Sequence, residues 1–371
     1  MKHLISGIIA IGALTVCAPV SGDEISETAS PFAPGETTDF TFMSSEQQLS
    51  GVFDAPEGDG ADALILFVHG YGETNVRAWN TFSDLRQRFN EVGIATAVWD
   101  KPGQGQSEGE FDINQSVYSS AQEVVDAAKL LREMEAPGAD KIGIWGVSRA
   151  GWIAPIAISQ DGDIDFWISV SGTTAEDNFA YLLLSNLPHE GGTSELSQQL
   201  ADEWRAGCEV FRTGGSFDRY QEATQTLRAN AYIKQMRGEW QTRVQYEGQQ
   251  QQCDAGACPN LDQDMCSYIF INEFDEMLSS LDLDVLAIFG EKDLNVDWRK
   301  TRAFYQDTIG QNPSATLAIE TYSDADHNLH VAETGSIREM QSMTAPTKAD
   351  GYYEAQTAWL KAHVLQSSDA D

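Results

Sequence analysis

Basic residues are scarce in this chain. Its 371 residues include 23 Lys and Arg against 57 Asp and Glu, which gives a formal net charge of −34 at pH 7. A surface of this charge repels nucleic acids and anionic lipids, so the composition excludes binding to either through a basic face. The content of 42% hydrophobic and 10% aromatic residues is that of a globular protein, which excludes a disordered or fibrous chain.

Long apolar runs are missing after residue 22. Residues 1–22 contain Lys2, an apolar run from Leu4 to Val16, and then small residues. This run is shorter than the ~20 residues that a membrane-spanning helix needs, and the pattern predicts a secretory signal peptide. We therefore expect a periplasmic or secreted protein with no transmembrane segment in its mature form. Lipidation at Cys17 is the alternative, and the bulky Val16 before it disfavours that modification.

Cysteine is also rare. The cysteines that follow the predicted signal peptide are Cys208, Cys253, Cys258 and Cys266. An even number in an exported chain predicts two disulfide bonds, with three pairings open. A zinc site is the alternative; it is disfavoured because no histidine lies among the last three cysteines, whose spacings are not those of close ligand pairs. The glycine-rich loop Asp100–Ser107 lacks the Gly-Lys-Ser/Thr ending of a nucleotide-binding loop, so no cofactor is predicted and we interpret it as a structural loop.

Short apolar runs alternate with helical patterns along most of the chain. Strands are predicted at Asp39–Met43, Gln48–Phe53, Ala63–Val68, Ile94–Trp99, Ile142–Trp145, Phe166–Val170, Val285–Phe289 and Leu317–Tyr322. Helices are predicted between them, at Ala78–Val92, Val117–Met134 and Arg149–Ile158, and near the end at Tyr352–Leu365. This alternation predicts βαβ units and therefore an α/β fold with a mainly parallel, doubly wound sheet.

The alternation stops between residues 173 and 284. That stretch contains the four cysteines and only helical patterns, at Tyr181–Leu187, Leu196–Phe211 and Tyr220–Met236. It predicts a mostly helical insertion closed on itself by disulfides. The expected organisation is thus a signal peptide at 1–22, a core in two parts at 23–172 and 285–371, and the insertion at 173–284.

The segment Trp145-Gly146-Val147-Ser148-Arg149-Ala150-Gly151 lies where a predicted strand ends and a helix begins. A serine on such a tight turn needs small neighbours so that its side chain can project, and Gly146 and Ala150 meet that need. We interpret Ser148 as a nucleophile. The backbone amide of Arg149, at the start of the helix, would face an oxyanion formed at Ser148.

A nucleophilic serine needs a base, and His327 is the best candidate. It lies in a polar loop directly after the last predicted strand, and the carboxyl ends of parallel strands are where α/β proteins place catalytic groups. His330 is the nearest alternative. His69 begins a glycine-rich turn after an earlier strand, and we interpret it as a structural residue.

The third member of the expected set is a carboxylate between the serine and the histidine in the chain. Asp293 follows the strand Val285–Phe289 through a turn, and it would hold the imidazole in the correct tautomer. Glu291 and Asp297 are the alternatives. The turn His69-Gly70-Tyr71-Gly72 supplies a second oxyanion donor, for which the amide of Tyr71 is the candidate.

The ordered segments HGYG, DKPGQGQS, GVSRAG, GEKD and DADHN resemble the serine hydrolases of the α/β-hydrolase superfamily. The run from Gly151 to Pro155 is similar to exported bacterial esterases related to dipeptidyl and acylaminoacyl peptidases. This resemblance implies that Ser148, Asp293 and His327 form a catalytic triad. It also implies that the helical insertion is a cap that covers the site and selects the substrate.

Three functions follow from these observations. The first is a secreted, carboxylesterase-like enzyme that cleaves small carboxylic esters through an acyl-enzyme on Ser148. The second is a serine peptidase or aminopeptidase with the same triad, for which Glu190, Asp202 or Glu203 in the insertion would bind the substrate ammonium. The third is a non-catalytic binding protein that kept the fold. We expect the first.

Overall fold

The computed structural model describes residues 31–58, 60–113, 115–237, 240–252, 269 and 271–365. The predicted signal peptide and Cys253, Cys258 and Cys266 lie outside the described residues, and Cys208 is buried. The two predicted disulfides therefore stay predictions. In the described part of the chain, no helix is both long and apolar enough to cross a membrane.

One eight-stranded sheet forms the centre of the molecule, with strand order β1-β2-β4-β3-β5-β6-β7-β8. The strands are β1 Thr37–Ser44, β2 Gln47–Asp54, β3 Ala63–Val68, β4 Ile94–Trp99, β5 Ile142–Val147, β6 Ile164–Val170, β7 Asp284–Gly290 and β8 Thr316–Tyr322. β1 and β2 pair antiparallel with each other, and β2 pairs antiparallel with β4. The remaining neighbours pair in parallel. The predicted strands and the mainly parallel sheet are confirmed.

Helices cover both faces of the sheet. Those of the core are α1 Ser83–Asn90, α2 Val117–Glu133, α3 Ala150–Gln160, α11 Trp298–Asp307, α12 Ile337–Ser342 and α13 Tyr352–His363. One buried hydrophobic cluster joins α2, α3 and α11 to the sheet, and a second cluster joins α1 and α13. Strands β3, β4 and β5 carry almost unbroken apolar sequence because both of their faces are buried in this way.

The insertion between β6 and β7 is helical in its described residues. Its helices are α4 Asn178–Asn186, α5 Ser194–Arg212, α6 Phe217–Ala223, α7 Gln225–Ala229, α8 Ala231–Arg237, α9 Arg243–Gln252 and α10 Phe274–Ser279. It has a hydrophobic cluster of its own, which includes Leu200, Trp204, Cys208 and Tyr220. We call this insertion the cap.

Two predicted helices differ from the observed ones. The helix predicted to begin at Ala78 begins at Ser83, because Asn80 and Phe82 adopt left-handed φ angles of 48° and 57°. The helix predicted at Tyr220–Met236 is three short helices. It is interrupted at Thr224 and at Asn230, whose side-chain oxygen accepts a hydrogen bond from the Ile233 amide over 3.1 Å and so starts a new helix.

Candidate active site

Ser148 lies on a strained turn between β5 and α3. Its φ is 57°, in the left-handed region that a non-glycine residue rarely adopts. The surrounding backbone holds this conformation: the Ser148 amide donates to the Val170 carbonyl over 3.0 Å. The Ser148 carbonyl accepts from the amides of Gly151 at 2.9 Å and Thr173 at 3.1 Å. Strain that is fixed by so many bonds is typical of functional positions.

Small residues make this turn possible. A Cβ atom added to Gly146 would lie 2.6 Å from the Cβ of Ala150, so residue 146 must be glycine while residue 150 is alanine. A Cβ added to Gly151 would lie 2.5 Å from the backbone nitrogen and oxygen of Thr173. Gly151 thus lets α3 approach the chain that leaves β6.

His327 and Asp293 are hydrogen-bonded to each other. Nδ1 of His327 lies 2.8 Å from Oδ2 of Asp293, and both side chains are buried. The other carboxylate oxygen of Asp293 accepts from the amides of Asn295 at 2.8 Å and Val296 at 2.9 Å. Because a carboxylate only accepts, Nδ1 of His327 carries the proton and Nε2 is left as the basic atom. Burial lowers the pKa of His327, but the carboxylates of Asp293 and Asp326 outweigh it, and the net shift is upward.

The loop that carries His327 is organised by the aspartate before it. Oδ1 of Asp326 accepts from the amides of Asn328 at 2.8 Å and His330 at 2.9 Å. This side chain is fully buried, and burial raises its pKa. Leu329 has a φ of 58°, which closes the turn. The sequence pattern gave no reason to single out Asp326, because it is one of many acids in the chain.

The alternatives to His327 and Asp293 lie in other settings, whereas His69 lines the same cavity as Ser148. His330 does not line the cavity at Ser148, and burial together with Lys348 lowers its pKa to about 4. Asp297 caps α11 through the amide of Lys300. Burial, with Lys101 nearby, lowers the pKa of His69 to about 3, and its Nε2 lies 2.8 Å from the Trp99 carbonyl. Neither Glu291 nor Asp297 lines the cavity among the described residues.

The two candidate oxyanion donors come from neighbouring segments. The β3–α1 loop passes directly beside the serine, since a Cβ added to Gly70 would lie 3.2 Å from the Cβ of Ser148. Tyr71, the next residue, is 45% exposed, and its ring centroid lies 5.3 Å from the guanidinium carbon of Arg149. The Arg149 side chain is buried and donates to Oγ of Ser120 over 3.0 Å.

Ser148 and His327 line the same cavity, which has a volume of about 650 Å³. Most of its walls are apolar, with contributions from Phe82, Ile113, Val147, Trp152, Phe179, Leu182, Ile269 and Val296. Among the described residues that line it, Glu73 is the single carboxylate, and this side chain is exposed. The cavity therefore suits an uncharged organic group beside the serine.

Glu190, Asp202 and Glu203 lie outside this cavity. Glu190 is paired with Arg338, whose Nε lies 3.0 Å from Oε1 of the glutamate. Asp202 is paired with Arg205 on the same helix. Glu203 accepts from the Leu227 amide over 2.8 Å and so connects α5 to α7. These three acids make contacts within the cap or to the core rather than in the cavity.

The helix α4 connects the cap to the loop that carries Asp293. Four side chains on one face of α4 donate to backbone carbonyls of that loop. Tyr181 donates to Asp293 over 2.8 Å, Asn178 to Asn295 over 2.8 Å, and both Ser185 and Asn186 to Leu294 over 2.7 Å. Sequence reasoning missed this contact, although the spacing of the four residues does place them on one helix face.

Within the described ranges, no cluster of three or more His, Cys, Asp or Glu side chains could hold a metal ion. The polar side chains that line the cavity include Ser148 and His327, and Asp293 lies behind His327, to which it is hydrogen-bonded. This set corresponds to nucleophilic acyl transfer.

Comparison with known proteins bears on the family and the fold of this chain. Residues 59–334 match the family model described as serine aminopeptidase, S33. The chain belongs to the S33 serine aminopeptidase family. As a member of that family it has the α/β-hydrolase fold, and the resemblance stated from its sequence motifs is confirmed at the level of an α/β-hydrolase serine hydrolase.

Individual relatives of this S33 family member are distant. An uncharacterized 31.7 kDa protein of the traX-finO intergenic region of Escherichia coli is 24% identical over 160 residues, or 43% of this chain. The chain spans about half the length of that relative, 54%. Among solved structures, the α/β hydrolase GrgF from Penicillium sp. sh18 has a TM-score of 0.52 and 14% identity, with 89% of this chain and 99% of that one covered. The acylaminoacyl peptidase of Pyrococcus horikoshii has a TM-score of 0.50 and 13% identity, with 91% and 43% covered. These structures support the fold.

Proposed function

We propose that this protein is a serine hydrolase that cleaves small carboxylic esters through an acyl-enzyme on Ser148. The observation that carries the proposal is the 2.8 Å bond between Nδ1 of His327 and Oδ2 of Asp293, at the edge of the cavity that Ser148 also lines. Ser148, His327 and Asp293 are the proposed triad.

In the first half-reaction, Nε2 of His327 removes the proton from Oγ of Ser148 as Oγ attacks the ester carbonyl. Asp293 stabilises the imidazolium that forms, because its carboxylate accepts the Nδ1 proton. The protonated Nε2 then gives its proton to the leaving alcohol, and the acyl group stays on Ser148. In the second half-reaction a water molecule loses its proton to Nε2, attacks the acyl carbonyl and releases the acid.

The negative charge on the carbonyl oxygen needs donors in both half-reactions. The amides of Tyr71 and Arg149 are the proposed donors, because they come from the two backbone segments next to Ser148. The Arg149 amide also lies at the start of α3, where the helix dipole favours an anion. Each such donor is worth roughly 10²–10³ in kcat in enzymes of this type.

The cavity supports an ester substrate. An aminopeptidase must bind the ammonium group of its substrate, and a carboxylate inside the site is the usual partner for an ammonium. The acids proposed for that role, Glu190, Asp202 and Glu203, are engaged elsewhere. The apolar walls fit the acyl or alcohol part of an uncharged ester instead.

Replacement of the nucleophile tests the proposal. Ser148→Ala is expected to abolish hydrolysis of short p-nitrophenyl esters and labelling by a fluorophosphonate probe. The control is Ser159→Ala, which removes a serine hydroxyl from the far end of α3, where it donates to the Ile156 carbonyl over 2.9 Å. Undiminished turnover by Ser148→Ala would refute the assignment, and loss of activity in the control would point to α3 as a whole.

The family description favours a second candidate, aminopeptidase activity, and one observation supports it. Glu73 places a carboxylate at the cavity, on the same loop as Tyr71. The two functions are separated by comparing an aminoacyl anilide with an ester of equal size. If the enzyme is an aminopeptidase, Glu73→Gln raises KM for the anilide at least tenfold and leaves the ester unaffected. If it is an esterase, the anilide is a poor substrate for both forms.

Export is part of the proposal and rests on the sequence of residues 1–22. Expression of the full chain should place the mature protein, without these residues, outside the cytoplasm, whereas a chain that starts at Asp23 should stay inside. In the exported protein, mass spectrometry of non-reduced peptides should find the cysteines of the cap in two disulfides.

A further inference from the structure

Lys101 lies beneath the loop that carries the proposed oxyanion donor. It is the first residue after Asp100 at the end of β4, and its side chain extends under the β3–α1 loop. Its ammonium donates to the Gly70 carbonyl over 2.6 Å and to the Gly72 carbonyl over 2.9 Å. One charged group thus holds the two carbonyls on either side of Tyr71.

The Gly70 carbonyl and the Tyr71 amide belong to the same peptide group. When an ammonium donates to the carbonyl oxygen, electron density moves toward that oxygen and the N–H becomes a stronger donor. Charge-assisted bonds have the largest effect of this kind. The second bond, to the Gly72 carbonyl, holds the turn that follows Tyr71.

The rest of the loop is held from the same side. The backbone amide of Lys101 donates to Oγ1 of Thr74 over 2.9 Å, and Oδ1 of Asp100 accepts from the Val76 amide over 2.7 Å. These two contacts position the distal part of the loop, and neither involves the Lys101 ammonium. The ammonium is the group that acts on the peptide of the oxyanion donor itself.

Charged groups face the Lys101 ammonium from three other elements. Glu123 on α2 is the nearby anion and is buried; it accepts from Nε1 of Trp99 over 3.1 Å. Arg149 at the start of α3 and His69 at the start of the loop are the nearby basic side chains. Burial first, and then the charge of Arg149, lower the pKa of Lys101 to about 8, while Glu123 opposes the shift.

Two further acids lie near this group. Glu110 and Asp112 share with Lys101 and Glu123 the walls of a cavity of about 220 Å³, which Ser148 does not line. Burial raises the pKa of Glu123. The surroundings of the ammonium therefore include both acids and peptide carbonyls.

We propose that Lys101 is a positioning residue of the oxyanion hole, and that its positive charge strengthens the Tyr71 N–H as a donor to the reacting carbonyl oxygen. This inference rests on the proposed function. It predicts that the chemical step depends on the charge of Lys101, while the affinity for the substrate does not. It also predicts an alkaline loss of kcat as the ammonium loses its proton.

The variants Lys101→Met and Lys101→Arg test this inference on the full-length mature enzyme. Lys101→Met should lower kcat for a short ester about tenfold or more, a fraction of the roughly 10²–10³ for loss of a whole oxyanion donor, with KM changed less than twofold. The rate of fluorophosphonate labelling should fall in parallel. Lys101→Arg keeps its charge at high pH, so the alkaline limb of kcat near pH 8 should disappear.

Lys141→Met is the matched control. Lys141 also donates to a backbone carbonyl, that of Val364 at 2.5 Å. It lies directly before β5, at the amino ends of the parallel strands, whereas Lys101 lies at their carboxyl ends. This variant should keep the wild-type kcat and the wild-type pH profile. Ser148→Ala serves as the blank at every pH, so that only hydrolysis that depends on Ser148 is compared.

The results separate the inference from the proposed function. If Ser148→Ala keeps full activity, the proposed function fails. If hydrolysis depends on Ser148 but Lys101→Met has wild-type kcat, the inference alone is overturned. If Lys101→Met does not fold, Lys101→Arg decides: an alkaline limb unchanged from wild type overturns the inference. A wild-type kcat that stays constant between about pH 7 and pH 10 overturns it without any variant.

Discussion

The phenol of Tyr181 donates a hydrogen bond to the backbone carbonyl of Asp293 over 2.8 Å. The donor lies on the first helix of the cap, and the acceptor is the main chain of the proposed triad acid. Burial, followed by the charge of Asp293, raises the pKa of Tyr181, so the phenol stays protonated as a donor. The cap is therefore attached by this bond to the main chain of the proposed triad acid.

Removal of this hydroxyl should affect catalysis as well as stability. Tyr181→Phe is expected to cost about 1 kcal/mol of unfolding free energy, the usual net value of such a bond. We expect kcat to fall about threefold or more because the Asp293 loop loses one of its supports. The matched variant is Tyr246→Phe, which removes a phenol that donates to the Gly215 carbonyl at 2.7 Å within the cap. It should cost similar stability and leave kcat unchanged; equal kcat in both variants would contradict the role of Tyr181.

The carboxylate of Asp293 should set the acidic limit of activity. In the wild type, kcat/KM should fall as the pH drops through a His327 pKa that lies above 6.5. Asp293→Asn removes the main influence that raises this pKa and leaves burial, which lowers it, so the acidic limb should move to lower pH. The maximal rate should fall by about 10⁴, as in other triads.

Asp297→Asn is the control for that experiment. Its side chain caps α11 in the same loop region and does not contact His327 in the described structure. Asparagine is an equally good N-cap, so neither stability nor the pH profile should change. An acidic limb that stays in place in Asp293→Asn would mean that another group sets it.

We expect the turn at Ser148 to accommodate a Cβ atom at residue 146 or at residue 150, but not at both. Gly146→Ala would bring its Cβ within 2.6 Å of the Cβ of Ala150, and we expect a loss of about 1–3 kcal/mol in stability together with most of the activity. Ala150→Gly should cost about 1 kcal/mol or less by itself. The double variant should regain most of the loss. A double-mutant cycle that shows simple additivity would show that the two sites do not touch.

Glu339 should contribute stability that depends on pH. Burial acts to raise the pKa of its carboxyl, but hydrogen bonds from the Thr334 hydroxyl and from the amides of Glu333, Thr334 and Gly335 lower it to about 2. Because the folded pKa lies below the unfolded value of ~4.3, the contribution is complete above that value and is lost as the pH falls toward 2.

Glu339→Gln tests this expectation. An amide cannot accept all of these hydrogen bonds, and its NH₂ group would face the backbone donors, so the variant should have a lower Tm at neutral pH. The difference in Tm should narrow as the pH is lowered from 5 toward 3. Glu222→Gln, at an exposed position in the cap, should show no difference at either pH. A difference for Glu339→Gln that is constant with pH would exclude the carboxylate as its source.

Much of the core was predictable because its signals are local. The strands buried on both faces are short apolar runs. Of the six strands that pair in parallel, Ala63–Val68 and Ile94–Trp99 have the predicted bounds, and the bounds of the other four differ from the prediction by at most two residues. The turn at Ser148 was predictable for a similar reason, since a glycine, a serine and an alanine at fixed spacing fit only a tight strand-to-helix connection.

The missed features depend on long-range contacts. Lys101 lies in a glycine-rich loop whose pattern indicates only a turn, and its role appears once the loop at Gly70 lies above it. The contacts of α4 join residues more than one hundred positions apart, such as Tyr181 and Asp293. The late start of α1 reflects the left-handed φ of Phe82, whose ring packs against His69 and Trp145, a packing constraint that helical periodicity does not contain.

The attachment of α4 to the loop at Asp293 has a consequence for protein engineering. A chimera that takes its whole insertion from a relative, starting at residue 173, would remove the four donors that hold the Asp293 loop and should be a poor catalyst whatever its pocket. An exchange that begins after Glu190, at the end of the 3-10 helix that follows α4, keeps those donors. A chimera that joins a new pocket to the proposed catalytic residues should therefore change from one chain to the other inside the cap, after the 3-10 helix that follows α4.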